Sequence, residues 1–199
     1  MSNNNFNTGN KTVEGIILAA GFSRRAGTNK MTMQVNGKPL LARCIENMYD
    51  ICSKIIVVGG HKAEDIHPII VKYKNVSLII NENYENGMFS SVKKGIEYIK
   101  GDRFFLTPGD YPAIQSRVYK DMSAIGGDVI IPTYKGKRGH PVLINGKLID
   151  KICTNANYHS LRDFINDYGF ITIEISDEGI LMDVDTPNDY NTVCRYLSI

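Results

Sequence analysis

The sequence predicts an α/β fold in which helices cover both faces of a mostly parallel sheet. Across the first 130 residues, short apolar runs alternate with longer segments whose apolar residues recur at helical spacing. This alternation is typical of strand–helix–strand units, whose helices pack on both faces of one sheet. The chain has 199 residues, of which 43% are hydrophobic, so it can bury the core of one domain. We therefore expect a three-layer α/β/α, Rossmann-like architecture.

The elements of the first half follow from the positions of the apolar runs. Each run is followed by residues typical of turns, and each segment between runs has helical periodicity. Pro68 lies inside one of these segments, where a proline removes a backbone hydrogen bond and can break a helix. Strands are expected at residues 13–20, 54–58, 77–80, 103–107 and 128–131. Helices are expected at residues 39–49, 63–73, 88–100 and 113–125.

The pattern changes after the fifth expected strand. Residues 133–144 predict a small β-hairpin insertion whose turn lies in the region Gly136–Gly139. Helices at 147–153 and 159–168, a strand at 170–175 and a helix at 187–197 complete one expected domain, residues 13–199. Residues 1–12 are Asn-rich and lack the apolar core of a signal peptide, so we expect a flexible tail and a cytoplasmic protein.

The charge composition excludes two classes of partner. The net charge is only +2, which argues against a nucleic-acid binder, and no apolar run is long enough for a membrane span. Locally, residues 21–30 and 134–147 carry bases and no acid, whereas residues 177–189 carry five acids and no base. Such segments suit a site for phosphates and a cation, and solvated loops are the alternative. The four cysteines match no zinc-site spacing, which predicts free thiols.

The segment after the first expected strand has the composition of an anion-binding loop. Gly21 and Gly27 allow backbone N–H groups to turn toward an anion, and Arg25 and Lys30 add positive charge. The spacing matches neither the G-x-G-x-x-G motif nor the GxxxxGK[ST] loop. In open sheets of this kind, ligands bind at the carboxyl ends of the strands, which is where this loop lies. A surface loop with three unrelated bases is the alternative.

Two further segments offer carboxylates for a metal. Asp110 follows an apolar run in a Gly/Pro-containing turn, and Mg²⁺ usually takes one or two carboxylates together with phosphate oxygens and water. Asp183 and Asp185 would lie on the same side of an extended segment. Helix capping is the alternative there, because Thr186-Pro187 has the composition of a helix start.

Several of these motifs together resemble the MobA-like nucleotidyltransferase family. They are L-A-A-G-x-S-x-R-x-G-x-x-K at 18–30 and V-x-G-K-P-L-L at 35–41, followed by segments at 81–92, 109–112, 139–142 and 183–187. The resemblance implies a fold of the nucleotide-diphospho-sugar transferase type. It also implies that an acceptor phosphate attacks the α-phosphate of a nucleoside triphosphate and that pyrophosphate leaves. Ala26 departs from the family, which has a larger apolar residue there.

The resemblance also implies roles for individual residues. Arg25, Lys30 and Asp110 would be catalytic, Asp110 and Asp185 would bind Mg²⁺, and Gly139, His140 and Pro141 would contact the acceptor. The two serines that follow Gly87 also have a simpler alternative role as helix caps. The nucleotide would be bound by Leu18, Ala19, Ala20, Gly21, Ser23, Arg25, Gly27, Lys30, Gly59, Gly60, Gly87, Ser90 and Ser91.

The nucleotide and the acceptor are expectations of the same kind. Ala20 favours CTP, because an Ala-Ala-Gly start goes with the cytidylyl-transferring members, although another nucleoside triphosphate stays possible. The implied acceptor is molybdopterin or the molybdenum cofactor, with a molybdoenzyme as client. A sugar-1-phosphate nucleotidyltransferase and a non-catalytic nucleotide- or cofactor-binding delivery protein are the alternatives. The presence of both metal carboxylates argues against the delivery protein, which has no need of them.

Overall fold

A mixed β-sheet forms the centre of the molecule in the computed structural model, which describes residues 12–21 and 29–198. The strands are β1 (Val13–Ala19), β2 (Gln34–Val35), β3 (Lys38–Pro39), β4 (Ile55–Gly59), β5 (Val76–Ile80), β6 (Arg103–Pro108), β7 (Val129–Tyr134), β8 (Lys137–Arg138), β9 (Val142–Asn145) and β10 (Ile171–Glu174). The helices are α1 (Leu40–Tyr49), α2 (His67–Ile70), α3 (Met88–Ile96), α4 (Ser116–Ser123), α5 (Ile149–Thr154), α6 (Leu161–Tyr168) and α7 (Pro187–Tyr196).

The strand order is β10-β7-β9-β6-β1-β4-β5, with β8 paired to β7. β1, β4, β5 and β6 are mutually parallel, as are β7 and β10, whereas β9 runs antiparallel to both of its neighbours, β6 and β7. The predicted three-layer α/β architecture with a mostly parallel sheet is therefore confirmed. Because the parallel strands all end at the same edge, the loops after β1, β4, β5 and β6 lie side by side.

The alternation of side chains along the strands divides the core between the two faces of the sheet. Ile17 of β1 lies in a cluster with the apolar sides of α1, α4 and α7. Its neighbours Ile16 and Leu18 lie in a second cluster with those of α3, α5 and α6. A Cβ at Gly95 would come within 2.9 Å of Ile16 and Val58, so this glycine allows α3 to pack close to the sheet.

The residues at 63–73 depart from the expected helix because of Pro68. They form a short 3-10 turn at 63–65 and then only α2, in which Pro68 occupies the first turn. A proline is accepted there because the first N–H groups of a helix have no partner within it. The long helix expected in this region was thus a wrong prediction.

The expected hairpin is present, but its turn and its second arm differ from the prediction. The turn lies at Lys135 and Gly136, which both have positive φ, so it begins one residue before the expected Gly136–Gly139 region and shares only Gly136 with it. The second arm continues as β9 into the middle of the sheet, between β6 and β7. A second hairpin, β2–β3, turns at Asn36-Gly37 with positive φ at both residues, which is the common signature of a two-residue hairpin turn.

Two other expectations concern thiols and membranes. All four cysteines are free, with Cys44 and Cys52 buried and the other two half-buried. No helix within the described ranges is long and apolar enough to cross a membrane. The expected flexible tail falls almost entirely on residues 1–11, which lie outside the described residues. Thr12 is described, and its backbone N–H donates a hydrogen bond to Asp102 (2.8 Å).

Candidate functional site

Lys30 joins two carboxylates that are far apart in the sequence. Its Nζ donates a hydrogen bond to Asp110 Oδ2 and another to Asp185 Oδ1, each at 2.8 Å. Burial alone would lower the pKa of Lys30, but the two carboxylates outweigh it and the pKa is raised. The structure thus brings together, around one ammonium group, three of the residues that the sequence marked for phosphate and metal chemistry.

The backbone around Asp110 holds this carboxylate at the end of β6. The N–H of Gly109 donates to the carbonyl of Leu18 (2.8 Å), and the N–H of Val184 donates to the carbonyl of Asp110 (3.0 Å). A Cβ at Gly109 would come within 2.7 Å of Met31 Sδ and 3.2 Å of the Leu18 carbonyl oxygen, so a larger residue here would require the Met31 side chain to move. These contacts connect the β1, β6 and pre-α7 segments at one point.

The donor set around Asp110 fits a hard divalent cation. Asp110 Oδ1 is buried and has no hydrogen-bond partner among the described residues, although buried polar atoms are nearly always paired. Burial and the nearby Asp185 raise the pKa of Asp183, as expected where carboxylates crowd together. No group of three or more His, Cys, Asp or Glu side chains converges within the described ranges. A cation here would therefore need phosphate oxygens and water as further ligands, which is usual for Mg²⁺.

The ends of β1 and β4 approach each other closely at Ala20 and Gly60. A Cβ on Gly60 would lie 2.9 Å from the Ala20 Cβ, 2.9 Å from the Ala20 carbonyl oxygen and 2.8 Å from the Tyr84 Cβ. The gap between the two strand ends is thus narrow, and any ligand at this edge would contact backbone and small side chains. Ala20 and Gly21 are the last described residues before the 22–28 gap.

The serines at the start of α3 bond to Asn81, the first residue of the 81–92 segment, which was assigned no role of its own. Asn81, which is buried, donates from Nδ2 to both Ser90 Oγ and Ser91 Oγ at 2.9 Å, and its Oδ1 accepts from the N–H of Asn83. The Ser90 hydroxyl lies 2.8 Å from the carbonyl oxygen of Gly87. The two serines therefore shape the loop between β5 and α3, which presents Gly87 at the same edge of the sheet.

The Gly139-His140-Pro141 segment lies against both the carboxylate turn and the pre-α7 segment. The N–H of His140 donates to the carbonyl of Ile180 (3.0 Å), and its ring contacts the Tyr111 ring at a centroid distance of 4.6 Å. A Cβ at Gly139 would come within 2.4 Å of the Ile180 carbonyl oxygen, so only glycine fits. Burial lowers the pKa of His140 to about 4, against the opposing effect of Asp110, and its Nδ1 has no partner among the described residues.

Asp177 anchors the turn on which this segment rests. Its fully buried carboxylate accepts hydrogen bonds from Arg117 Nη2 (3.0 Å), the N–H of Gly179 (2.9 Å) and the Tyr196 hydroxyl. It thereby links α4, α7 and the 3-10 turn at 178–181 that carries Ile180. The sequence placed Asp177 in an acidic segment suited to a phosphate and cation site, whereas the structure shows a buried structural carboxylate that pairs with the exposed guanidinium of Arg117.

A cleft of about 910 Å³ opens between α3 and α6 above the sheet. Its floor consists of Leu18, Leu106, Val142 and Ile131, which belong to the adjacent strands β1, β6, β9 and β7. Polar groups line it in two sets. The acidic set is Asp110, Asp183 and Asp185, and the basic set is Lys137, Arg138 and Arg162. Of the charged segments seen in the sequence, 134–147 contributes Lys137 and Arg138 to this cleft and 177–189 contributes Asp183 and Asp185. Lys147 pairs with Asp128 elsewhere, and most of the segment 21–30 lies outside the described residues.

The match of the chain to the model of a protein family shows which family it belongs to. The model of the MobA-like NTP transferase domain matches residues 15–172, which is most of the chain. The chain belongs to the MobA-like NTP transferase family. The resemblance noted in the sequence motifs is therefore confirmed, and the protein is a nucleotidyltransferase.

Individual relatives of this MobA-like transferase differ in how much of it they cover. The molybdenum cofactor cytidylyltransferase of Escherichia coli (strain K12) is 30% identical over 189 residues, 94% of this chain and 98% of that protein. A probable molybdenum cofactor guanylyltransferase of Bacillus cytotoxicus is 26% identical over 131 residues, 64% of this chain and 65% of that protein. The similarity to the cytidylyltransferase thus extends through the C-terminal part of the chain.

Solved structures with the same fold have little sequence identity to this MobA-like transferase. The crystal structure of Rv0371c from Mycobacterium tuberculosis H37Rv gives a TM-score of 0.81 at 17% identity and covers 93% of this chain and 98% of that chain. A complex of the same protein with manganese gives a TM-score of 0.75 at 14% identity and covers 93% and 98%. These likenesses confirm the fold.

The structure places most of the expected site residues of this MobA-like transferase at one edge of the sheet. Leu18, Ala19, Gly59 and Gly60 end β1 and β4, and Lys30 meets the two metal candidates. Ser23, Arg25 and Gly27 lie outside the described residues. Asn81 begins the 81–92 segment of the resemblance but was assigned no role, and Arg162, which belongs to no motif, was missed.

Proposed function

We propose that this enzyme moves CMP from CTP onto the phosphate of molybdopterin or the molybdenum cofactor, with Mg²⁺, and releases pyrophosphate. The observation that carries the proposal is that Lys30, Asp110 and Asp185 meet at the sheet edge. The ends of β1, β4 and β5 lie on one side of this point, and the cleft over β6, β9 and β7 lies on the other. A molybdoenzyme that receives the product is the partner that this function implies. The name of the 30% identical relative, which the chain covers almost completely, supports the choice of cytidylyl transfer and of acceptor.

The two halves of the sheet edge suit two substrates. The nucleotide is assigned to β1, β4 and β5, whose ends present Ala20, Gly60 and Gly87. The acceptor is assigned to the cleft over β6, β9 and β7, which contains Gly139 and His140. Leu18 is the member of the nucleotide set that also lines this cleft, so the α-phosphate and the acceptor phosphate would meet near the end of β1.

The reaction needs an oxygen of the acceptor phosphate to attack the α-phosphorus of CTP. The new P–O bond forms as the bond from the α-phosphorus to the bridging oxygen breaks, and pyrophosphate carries away the bond's electron pair. Positioning and charge neutralisation supply most of the rate in chemistry of this type. Lys30 is placed to neutralise phosphate charge, and Arg25, which lies outside the described residues, is assigned the same task.

Asp110 and Asp185 are the residues that would hold Mg²⁺. The ion would supply positive charge to the triphosphate and help to align it. Asp110 offers its buried, unpartnered Oδ1, and Asp185 is more exposed and turns toward the same ammonium group. Thr186 caps α7 with Asp189 in a reciprocal capping box, which leaves Asp185 available for this role.

The narrow gap between β1 and β4 supports CTP over a purine nucleotide. The Ala20 Cβ lies 2.9 Å from the position that a Cβ on Gly60 would occupy, so the space beside the base of the nucleotide is small. GTP is the competing nucleotide, because the relative from Bacillus cytotoxicus is named a guanylyltransferase.

Calorimetric titration of the protein with CTP, GTP and ATP in the presence of Mg²⁺ tests the nucleotide. We expect CTP to bind at least tenfold more tightly than GTP. An Ala20→Gly variant should narrow that difference, because it removes the methyl group that restricts the space. A preference for GTP in the wild type would contradict the assignment.

A further inference from the structure

Asn29, the residue before Lys30, is a buried amide that is hydrogen-bonded at both ends. It is 9% exposed, its Nδ2 donates to the carbonyl of Lys62 (3.1 Å), and its Oδ1 accepts from the N–H of Met31 (3.2 Å). A buried amide that loses either partner leaves a donor or an acceptor unsatisfied, which is costly. The two bonds therefore fix both the position and the orientation of this side chain, to which the sequence motifs assign no role.

One of these bonds caps the 3-10 turn at 30–32, which carries Lys30. Asn29 occupies the N-cap position of this turn, where its Oδ1 accepts the first free backbone N–H. The Asn29 carbonyl also accepts from the N–H (3.0 Å) and the hydroxyl (2.8 Å) of Thr32. The backbone from which the Lys30 side chain reaches Asp110 is thus held by the residue that precedes it.

The other bond connects this turn to the loop that follows β4. Lys62 has a φ of 51°, which is uncommon for a residue other than glycine, and its carbonyl also accepts from the N–H of Asp65 (3.1 Å). The carbonyl that Asn29 uses is therefore held in place by the structure of the loop itself. Gly59 and Gly60, where β4 ends, belong to the set assigned to the nucleotide. The Asn29 side chain thus joins the loop after β1 to the loop after β4.

We propose that Asn29 is a positioning residue, which holds the Lys30 ammonium group at the site of the triphosphate by tying the turn of Lys30 to the loop after β4. This inference rests on the proposed function, because it takes Lys30 as a residue that neutralises phosphate charge. Asn29 acts through Lys30 and does not itself bind the nucleotide. It links the part of the site assigned to the base with the part assigned to the phosphates.

A double-mutant cycle between Asn29→Ser and Lys30→Gln, with the Kd for CTP and Mg²⁺ measured by calorimetry, tests this inference. Serine keeps an oxygen that can cap the turn but is too short to reach the Lys62 carbonyl. We expect Asn29→Ser to raise the Kd about tenfold in the wild type and less than twofold in Lys30→Gln. A residue that acts through Lys30 loses its effect with the ammonium group, whereas a purely structural role would change the Kd equally in both backgrounds.

Two further variants serve as control and reserve. Asn75→Ser, at an exposed position just before β5 and thus at the opposite edge of the sheet, should leave the Kd unchanged. The urea midpoint of each variant shows whether it folds. If Asn29→Ser does not fold, Asn29→Asp takes its place in the cycle with the same expected result, because it keeps the size and the capping oxygen of Asn29 and lacks the donor.

Failure of the inference and failure of the proposed function give different results. Equal effects of Asn29→Ser in the two backgrounds, a Kd within twofold of the wild-type value, or a wild-type protein that does not bind CTP would overturn the inference. If the wild type binds CTP but transfers no CMP to the molybdenum cofactor, the proposed function fails, and the cycle still decides the role of Asn29.

Discussion

Lys30 shows how one side chain can hold a catalytic geometry in place. Asp110 and Asp185 lie close together because both contact the Lys30 ammonium group. The two negative charges repel each other, and the positive charge of Lys30 offsets this repulsion. Its side chain is 14% exposed, so solvent screens the two ion pairs less than it would at the surface. The residue that is assigned to the triphosphate therefore also keeps the two metal candidates facing one another.

His140 makes the stability of the fold depend on pH. Burial lowers its pKa to about 4, whereas an unfolded chain takes up the proton near pH 6.5. Between these values the unfolded state binds more protons, so the free energy of unfolding falls as the pH drops from 6.5 to 4, by up to about 1.4 kcal/mol per pH unit. We expect His140→Asn to weaken this dependence.

Urea unfolding at pH 4.5, 5.5 and 6.5 measures the effect of His140 directly. The midpoint of the wild type should fall more steeply with decreasing pH than that of His140→Asn. His67→Asn, at an exposed position at the start of α2, serves as the control and should follow the wild type. Equal slopes for wild type and His140→Asn would show that His140 is not held neutral by burial.

At the scale of the elements, the contact between the ends of β1 and β4 permits a sharp test. A Cβ at Gly60 would overlap Ala20 and Tyr84, so Gly60→Ala should push the two strand ends apart. Overpacking of this kind costs about 1–3 kcal/mol of stability, and we expect the KM for CTP to rise at least tenfold as well. Gly126→Ala is the matched control, because a Cβ there meets nothing within 4 Å. An unchanged KM for Gly60→Ala would show that the nucleotide does not use this edge.

The elements that could be predicted from the sequence are those with strong local signals. β1, β4 and β6 each contain a run of at least three consecutive apolar residues, and the sequence placed these strands to within two residues. The position of β9 could not be predicted in the same way, because its insertion between β6 and β7 depends on pairings between distant segments. α2 is shorter than its apolar periodicity indicates, since Pro68 fits only the first turn.

Across the whole molecule, the sequence located the site better than it explained how the site is held. Lys30, Asp110 and Asp185 could be found because each follows a strand end or a motif, and they do meet. Asp177 is as acidic as its neighbours in sequence, and only its partner Arg117, 60 positions away, shows that it belongs to the core. Arg162 carries no motif, and its place in the cleft follows from how α6 packs on the sheet.

Pyrophosphate release on mixing the protein with CTP, Mg²⁺ and the molybdenum cofactor tests the central claim, that Asp110 takes part in nucleotidyl transfer, most directly. The account predicts rapid release by the wild type and a rate at least 100-fold lower for Asp110→Asn, a loss of the size seen when one charge-stabilising group is removed. Asp121→Asn, at an exposed position of α4, should behave as the wild type. Release by Asp110→Asn at the wild-type rate would contradict the account.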